Sequence, residues 1–463
     1  ERINRLMEKS IQYAGEFSIK ELKIHTSAGR VLDYTSSDNV LGIELFEDLY
    51  STSMSGNLIM VDTDNVSENG PIIGQEFLTL KIGTPSLDET DISFTFNIHK
   101  VATKVDTNKN TQLLSLSFIA PEILRNTRTR VSKSYTDTIS NIVSDILKSE
   151  KYINTKKTLF IEPTNGIRKV VSPNYHPYKF INNLTNEAIS SRGSQNYVLF
   201  ENSKGIHFQT FDSMMDSDTI ANYSSGDVGM INGKTTDVQK DFERPLDLAI
   251  IGNNDLLLNT MSGMLGSKII KYNIYNKTYE TNTYGYFDNF EGNRTIDLNP
   301  VYNNNEIDES GDTIGSFSDA RLYLQSVVTD GVNDMQHTNE TSSYSYAPNG
   351  LSNSLLQRRA KVTELNSGIN LALKINGNTT IAVGGTVSVQ IPVTGNPHES
   401  GEYDTYYSGK YLITKLKHQF DTANRRHTIE MNVAKDSVST KLSNDSSALE
   451  PSNGSGDIIE ITT

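Results

Sequence analysis

A glycine-rich segment at 226–235, GDVGMINGKT, comes close to the pattern of a phosphate-binding loop. Such a loop needs Gly, four residues and then Gly-Lys-Ser/Thr, because its backbone N–H groups must wrap around the phosphates. With the closing Gly-Lys-Thr at 233–235, the first glycine should stand where the chain has Val228. Gly229 comes one residue too late, and the segment therefore favours an ordinary turn over a nucleotide site.

Two acidic segments offer oxygen ligands to a hard cation such as calcium. Their carboxylates are Asp62, Asp64 and Glu68 in DTDNVSEN (62–69), and Asp308, Glu309 and Asp312 in NEIDESGDT. A calcium-binding EF-hand loop also needs a ligand at its fifth position and glycine at its sixth. Val66 and Ser67 stand there in the first segment, so the pattern favours solvated loops.

No pattern of a known catalytic site is present in the sequence, which contains neither HExxH nor Gly-x-Ser-x-Gly. Four of the eight histidines fall in predicted strands: His99, His207, His418 and His427. Carboxylate pairs for glycoside hydrolysis need only proximity in space, and Glu44 and Glu47 are one such pair. A hydrolase therefore stays open as an alternative, although we expect the chain not to be an enzyme.

Tyrosines are concentrated at 272–302, where they could form a protein- or carbohydrate-binding surface, since tyrosine is favoured at interfaces. Tyr284 and Tyr286 would be tested first in that case. Ordinary strand tyrosines explain the same pattern.

Composition excludes several further classes of function. The 42 Lys and Arg against 56 Asp and Glu give a net charge of −14, which disfavours a protein held on nucleic acid by phosphate contacts. The chain has no cysteine, so disulfides, thiolate metal sites and cysteine nucleophiles are excluded. We expect no metal or other cofactor. No apolar run reaches the roughly 18 residues of a membrane span, so we expect no membrane anchor.

The length of 463 residues suggests about three domains. Apolar and polar residues alternate in ISFTFNIHK (92–100), which indicates a strand with one buried face. Similar strands are predicted at 15–26, 40–49, 56–62, 75–83 and 111–120. Strands at this spacing predict an antiparallel barrel or sandwich, and we assign residues 1–125 to a first barrel domain.

The pattern then changes to helices, and we assign residues 126–215 to an α/β domain. Apolar residues at helical spacing predict a helix at 134–150. Pro177 stands at the first-turn position of a second helix, 177–191. A strand hairpin follows at 196–211.

We assign residues 216–345 to an intermediate region that is partly second barrel and partly insertion. It contains a predicted helix at 256–265, tyrosine-rich strands at 271–290 and a short amphipathic segment at 318–328.

A second barrel domain is predicted over 346–437. A helix at 351–365 precedes strands at 369–377, 384–392, 409–420 and 425–435. The polar residues 438–463 then read as a flexible tail, whose β-prone end could add a strand to a partner's sheet.

Taken together, these segments resemble the baseplate central hub of contractile-tailed bacteriophages, whose fold is shared with the upper part of VgrG spikes of type VI secretion. The residues that carry the resemblance are 40–62, 134–147, 383–392, 408–420 and 425–437. The resemblance implies an α+β, mainly β fold with two antiparallel tube-type β-barrel domains and inserted α/β domains. It also implies a structural protein of the virion rather than an enzyme.

The resemblance further implies a homotrimeric ring that joins the sixfold tail tube to the threefold spike. Two similar barrels per chain are what such a ring needs. Its partners would be the spike, the tail tube or a tube-initiator protein, and neighbouring baseplate proteins, with DNA only as passing cargo. Candidate interface residues are Tyr411, Ile413, Lys415, Lys417, Ile458, Ile459 and Ile461. A receptor- or carbohydrate-binding tail protein and a virion-associated cell-wall hydrolase stay open as alternatives.

Overall fold

The computed structural model describes residues 13–62, 72–85, 91–108, 111–224, 238–252, 255–273, 277–292, 294–306, 311–316, 318–327, 351–393 and 403–440. Most of this structure is antiparallel β, as predicted. Among the described residues, no helix is long and apolar enough to cross a lipid bilayer.

The strands, in chain order, are β1 Ser18–His25, β2 Val31–Asp33, β3 Val40–Asp48, β4 Ser55–Asp62, β5 Phe77–Gly83, β6 Ile92–Asn108, β7 Thr111–Ile119, β8 Ser134–Thr138, β9 Leu159–Ile161, β10 Ile167–Val171, β11 Tyr197–Asn202, β12 Gly205–Thr210, β13 Thr219–Ser224, β14 Asp247–Gly252, β15 Gly266–Asn273, β16 Thr278–Gly285, β17 Asn299–Pro300, β18 Leu322–Val327, β19 Ile369–Asn376, β20 Thr386–Gln390, β21 Gly409–Asp421, β22 Arg426–Lys435 and β23 Ser437–Val438. The helices are α1 Pro121–Arg128, α2 Ile139–Lys148, α3 Pro177–Thr185, α4 Phe211–Met215, α5 Val238–Glu243, α6 Leu256–Ser262, α7 Tyr286–Phe290 and α8 Leu351–Ser367.

One sheet runs through both barrels. Its strands are hydrogen-bonded in the order β14-β19-β22-β21-β3-β4-β7-β6-β5-β1-β2, and β20 joins β21 to β13. The first barrel is built from β1 to β7, and the second from β13, β14 and β19 to β22. The two barrels meet where β21 pairs with β3.

Period-two alternation places the core of each barrel. In β3, Ile43, Leu45 and Glu47 point inward and are buried, while the residues between them are part-exposed. The first core contains side chains from β1 and β3 to β7, including Phe96 and Phe118. The second core is formed mainly by β19 to β22 and also takes in Phe200 and Phe211 of the neighbouring α/β unit.

The α/β unit corrects the predicted helix boundaries. Residues 134–138 form β8 instead of a first helical turn, because they pair in register with β10 and bury Tyr135. The helix begins only at Ile139, where Thr138 Oγ1 caps it by accepting the N–H of Asn141. The predicted helix 177–191 ends at Thr185, after which Ser190 forms a β-bridge to Thr164.

Elsewhere several elements were not indicated by the sequence pattern, among them β2, β9, β10, β13, β14, α1, α4 and α5. The amphipathic segment 318–328 contains a strand, β18, which pairs parallel to β15. The tyrosine-rich stretch 271–290 supplies parts of β15 and β16 but ends in the short helix α7. Pro121, which marks the end of the first sheet, also begins α1, a helix that the pattern did not indicate, and β2 was likewise missed.

One close approach in the first barrel requires glycine. A Cβ on Gly56 would lie 2.4 Å from the Phe118 ring and 2.3 Å from the carbonyl oxygen of Glu44. The absence of a side chain on β4 therefore lets the Phe118 ring lie flat across the strand and fill the core.

We predict that Gly56→Ala lowers the free energy of unfolding by about 1–3 kcal/mol, because the added methyl group overpacks the core against backbone. Gly292→Ala is the matched control, since a Cβ there has no neighbour closer than 3.6 Å. Urea unfolding of both variants measures the difference. Equal stability of the two variants would contradict the packing described.

Candidate functional site at the junction of the two barrels

The two barrels are joined edge to edge by backbone pairing, which we call the barrel joint. In the joint, residues 415–421 of β21 pair antiparallel with residues 42–48 of β3, from Lys415 opposite Asp48 to Asp421 opposite Gly42. The N–H of Leu49 extends the pairing by donating to the Thr414 carbonyl over 2.9 Å. The joint is therefore continuous sheet rather than a contact between side chains.

A bulge in β21 makes the joint possible. Residues 409–412 of β21 pair with β20, and the register then shifts at Thr414. Bulges of this kind bend and twist a strand away from its partner. Beyond the bulge, β21 leaves β20 and presents its free edge to β3.

The outward face of the joint carries ion pairs that match its register. Lys417 Nζ lies 2.9 Å from Glu44 Oε1, and Lys415 Nζ lies 3.7 Å from Asp48 Oδ2. The amide of Asn57 on β4 also donates to Glu44 over 3.1 Å. Part-exposed pairs of this kind contribute about 1 kcal/mol or less each, so they favour the register more than they stabilise the fold.

The inward face of the joint holds a buried histidine pair. The Nδ1 of His418 lies 3.0 Å from the Nε2 of His427, so one ring donates and the other accepts. The Phe420 ring stacks on His427 with 4.1 Å between ring centres. Burial lowers the pKa of His418 to about 3, so the pair is neutral at physiological pH.

Glu47 connects three parts of the chain at the joint. Its Oε1 accepts the N–H of Ser203 in the α/β hairpin over 2.8 Å, and its Oε2 accepts the N–H of Val383 in the second barrel over 2.9 Å. His418 Nε2 lies 4.0 Å away. Burial raises the pKa of Glu47 to about 7. Because N–H groups of two other parts of the chain bind the same buried carboxyl, Glu47 fixes the relative positions of the barrels and the α/β unit.

A second buried carboxylate makes a similar connection. Glu201 of β11 accepts the N–H of Met54 in the first barrel over 3.2 Å and is paired with Lys157. Lys157 also lies 2.8 Å from Glu122, which in turn accepts the hydroxyl of Thr155 over 2.7 Å. Glu122 and Lys157 line a cleft of about 540 Å³ between the first barrel and the α/β unit. Both carboxyls of the cluster are bound by the single lysine inside the protein, as expected of a structural link.

A third cluster fixes the intermediate region to the second barrel. Lys361 of α8 is paired with Asp436, and the hydroxyl of Tyr286 donates to Glu364 over 2.7 Å. Asp436 also accepts the N–H of Ile296 over 3.0 Å. Burial raises the pKa of Glu364 to about 8.

The tyrosines that suggested a binding surface divide into two groups. Tyr284 and Tyr286 are buried in the core between β16, α7 and α8, so their rings are not available to a glycan in this fold. Among the described tyrosines of this stretch, Tyr272 and Tyr279 are exposed, on neighbouring strands, and Tyr302 is half-buried.

The predicted interface residues occupy different environments. Tyr411 and Ile413 are fully buried in the second barrel, where they pack the core of this chain. Lys415 and Lys417 lie at the barrel joint and bind β3 of the same chain. Contacts of these two lysines with another molecule stay a prediction. Ile458, Ile459 and Ile461 lie outside the described residues.

The other candidates for chemistry are not brought together. Glu44 and Glu47 point to opposite faces of β3, each with its own partners, so they do not form the carboxylate pair of a hydrolase cleft. The segment 226–235 and most of 62–69 lie outside the described residues, as do Asp308 and Glu309. The described part of the chain contains no group of three His, Asp or Glu side chains arranged to hold a metal.

We predict that Glu47→Ala lowers the free energy of unfolding by about 2–4 kcal/mol, because it leaves the buried N–H of Val383 and the part-buried N–H of Ser203 without their acceptor. Glu44→Ala, on the same strand but at the outer face, should cost about 1 kcal/mol or less. Denaturant unfolding measures both. A Glu44 variant as unstable as the Glu47 variant would contradict the assigned role.

We also predict that stability depends on pH through Glu47. Its pKa is raised in the folded chain to about 7, so its contribution is fully present below the ordinary pKa and is lost as pH rises through about 7. Glu47→Gln cannot titrate, whereas His418 titrates in both proteins. The stability of wild type relative to this variant should therefore be larger at about pH 5 than at about pH 8. Urea unfolding at the two pH values measures it, and a difference of the opposite sign would contradict the prediction.

No family model and no curated protein matches the sequence. A tail protein from Neisseria meningitidis MC58 superposes with a TM-score of 0.50 at 10% identity, over 91% of this chain and 97% of that one. A 43 kDa tail protein of prophage MuSo2 from Shewanella oneidensis gives 0.49 at 10% identity, over 90% and 98%.

A further similar structure is an E. coli component of the type VI secretion system, described as structurally similar to the bacteriophage T4 tail proteins gp27 and gp5. It superposes with a TM-score of 0.42 at 10% identity, over 91% of this chain and 76% of that one. The chain thus shares the fold of the Neisseria tail protein along nearly its whole length. The fold expected from the sequence is thus confirmed to the extent that it is shared with a tail protein.

Proposed function

We propose that the chain is the structural hub of a phage tail baseplate. Three copies form a ring that joins the sixfold tail tube to the threefold spike and surrounds a channel for the genome. The fold shared with a tail protein supports this assignment. The ring, the channel and the partners are our inference from the arrangement of the barrels.

The observation that carries the proposal is the matching strand order of the two barrels. In the first barrel the order is β3-β4-β7-β6-β5-β1, and in the second it is β14-β19-β22-β21-β20-β13. In both, a long strand and its hairpin partner, β6 with β7 and β21 with β22, occupy the same places. The chain therefore presents one strand order twice, with one difference: β1 runs antiparallel to β5, whereas β13 runs parallel to β20.

A duplicated unit joined head to tail is what a pseudo-sixfold ring requires. The barrel joint pairs the free edge of β3 in the first barrel with the free edge of β21 in the second barrel. The two edges are different surfaces, so the contact is heterologous. Contacts of this type close into rings when the rotation between units permits it. Three chains would supply six barrels, which would match a sixfold tube on one face and a threefold spike on the other.

Buried polar groups that are already hydrogen-bonded within the chain support a structural role over an enzymatic one. The buried carboxylates Glu47, Glu201 and Glu364 each bind backbone or side-chain groups of another part of the chain. A net charge of −14 would also discourage binding of phosphates, which suits DNA that passes without sticking. We place the protein in the virion, at the tail baseplate, beside the spike, the tube or its initiator, and neighbouring baseplate proteins.

We predict a solution mass near three times that of the 51.4 kDa chain, measured by light scattering after size exclusion, alone or with a co-expressed spike. Dilution controls separate a closed ring from open association, since an open assembly grows with concentration. A monomer under both conditions would overturn the proposal.

A further inference from the structure

We propose that the ring closes by pairing of β14 of one chain with the outer half of β6 of the next chain. This second joint would repeat the barrel joint within the chain. The inference rests on the proposed ring and adds to it the two strands that meet and the residues that lie opposite each other.

The hairpins β6/β7 and β21/β22 correspond when they are aligned on their shorter strands, β7 and β22, although β6 has a second bulge, between Val101 and Thr103, that β21 lacks. Ile98 lies opposite Phe118 just before a bulge in β6, and Ile413 lies opposite Val433 just before the bulge in β21. The N–H of Ile98 donates to the carbonyl of Glu76 over 2.9 Å. The N–H of Ile413 donates to the carbonyl of Gly385, also over 2.9 Å. In both barrels the long strand therefore leaves its inner neighbour at the same point.

The strands at the other edge correspond in the same way. Leu45 of β3 lies opposite Gly56, which lies opposite Phe118. Ile250 of β14 lies opposite Leu371, which lies opposite Val433 of β22. Leu45 of β3 and Ile250 of β14 are therefore equivalent positions, each on the outermost strand of its barrel.

These equivalent edges differ in whether a strand covers them. Beyond its bulge, β21 is covered by β3, whereas in the described part of the chain no strand pairs with the outer edge of β6 from Lys100 onward. In the same described ranges β14 pairs with β19 alone. Leu45 is fully buried at the joint, but Ile250 is 46% exposed. A strand paired with β14 at the second joint would bury Ile250.

Further apolar surface lies along the chain next to β14. Ile251 is 55% exposed, and Leu257 and Met261 of the following helix α6 are 71% and 62% exposed. An uncovered strand edge beside exposed apolar side chains is a risk of aggregation in a monomer and is common at interfaces. The structure favours a second copy of the chain as the partner of β14. The outer edge of β6 in that copy is equivalent to the edge of β21 that already pairs with β3.

The existing joint also sets the register of the proposed one. Gln419 lies opposite Glu44 in the barrel joint. Counted along β7 and β22, Leu113 opposite Val105 is equivalent to Thr428 opposite Gln419, so Val105 of β6 is equivalent to Gln419. Glu44 is equivalent to Ala249 of β14 in the same way. Val105 of one chain should therefore lie opposite Ala249 of the next. Both side chains are exposed in the single chain.

The chain has no cysteine, so a designed pair reports this contact without background. The test is the double variant Val105→Cys/Ala249→Cys, oxidised in air, where two thiols form a disulfide as oxygen is reduced. Directly opposite residues in a sheet are close enough for a disulfide. We expect most of the protein to run as covalently linked trimer on a non-reducing gel, and as monomer after reduction.

The matched control is Val31→Cys/Ala249→Cys. Val31 lies on β2 at the opposite end of the long sheet and is 55% exposed, so this pair tests whether β14 binds that end instead. Preferential cross-linking of the control pair would overturn the inference. A trimer by mass that shows no cross-link between positions 105 and 249 would overturn it and leave the hub proposal standing. A wild-type monomer would overturn both.

A second variant tests the contact without introduced thiols. Ile250→Asp should shift the assembly to monomer, since it places a charge in the proposed joint, and circular dichroism should show an unchanged fold because Ile250 is half-exposed in the single chain. Leu298→Asp is the control, at a side chain that is 89% exposed and outside both strands. A trimer that tolerates Ile250→Asp as well as Leu298→Asp would contradict the inference.

Discussion

The pairing of β21 with β3 is the interaction on which the rest of the structure depends. A sheet edge carries unpaired N–H and C=O groups, and an exposed edge invites association with another chain. Here the edges of two barrels within one chain pair with each other, so the barrels become parts of one sheet. Their orientation is then set by backbone geometry. The same geometry, applied again between chains, is what the proposed ring uses.

Buried polar groups fix this arrangement in detail. Apolar cores bury surface but tolerate small shifts, whereas a buried carboxylate that accepts N–H groups from two other units allows little movement. Glu47 acts in this way at the joint, and Glu201 does so beside it. Lys361 and Glu364 fix the intermediate region to the second barrel.

Much of the fold could be predicted from the sequence because strands with one buried face alternate visibly. The strands at 40–48 and 426–435 follow that pattern. The errors arose where tertiary pairing decides the structure. Residues 134–138 look helical in sequence but pair with β10. The burial of Tyr411 and Ile413 in the core of their own chain also differs from the predicted interface role, because the residues of a strand do not by themselves distinguish a buried strand from an exposed one.

The role of Glu47 could not be predicted from sequence, because its partners Ser203 and Val383 lie far away along the chain. One sign was present: a carboxylate stood on the apolar face of β3, in line with Ile43 and Leu45. A charged residue in such a position is rarely left without partners. The matching strand order of the two barrels was likewise hidden, since β14 and β13 lie in a region whose sequence gave no clear barrel pattern.

The central claim is that one chain contributes two equivalent barrels to a closed ring. Electron microscopy of the purified assembly, averaged over end-on views without imposed symmetry, tests it most directly. The account predicts a closed ring of six similar lobes around an open centre, with threefold symmetry. Twofold particles, open filaments or isolated two-lobed chains would contradict it.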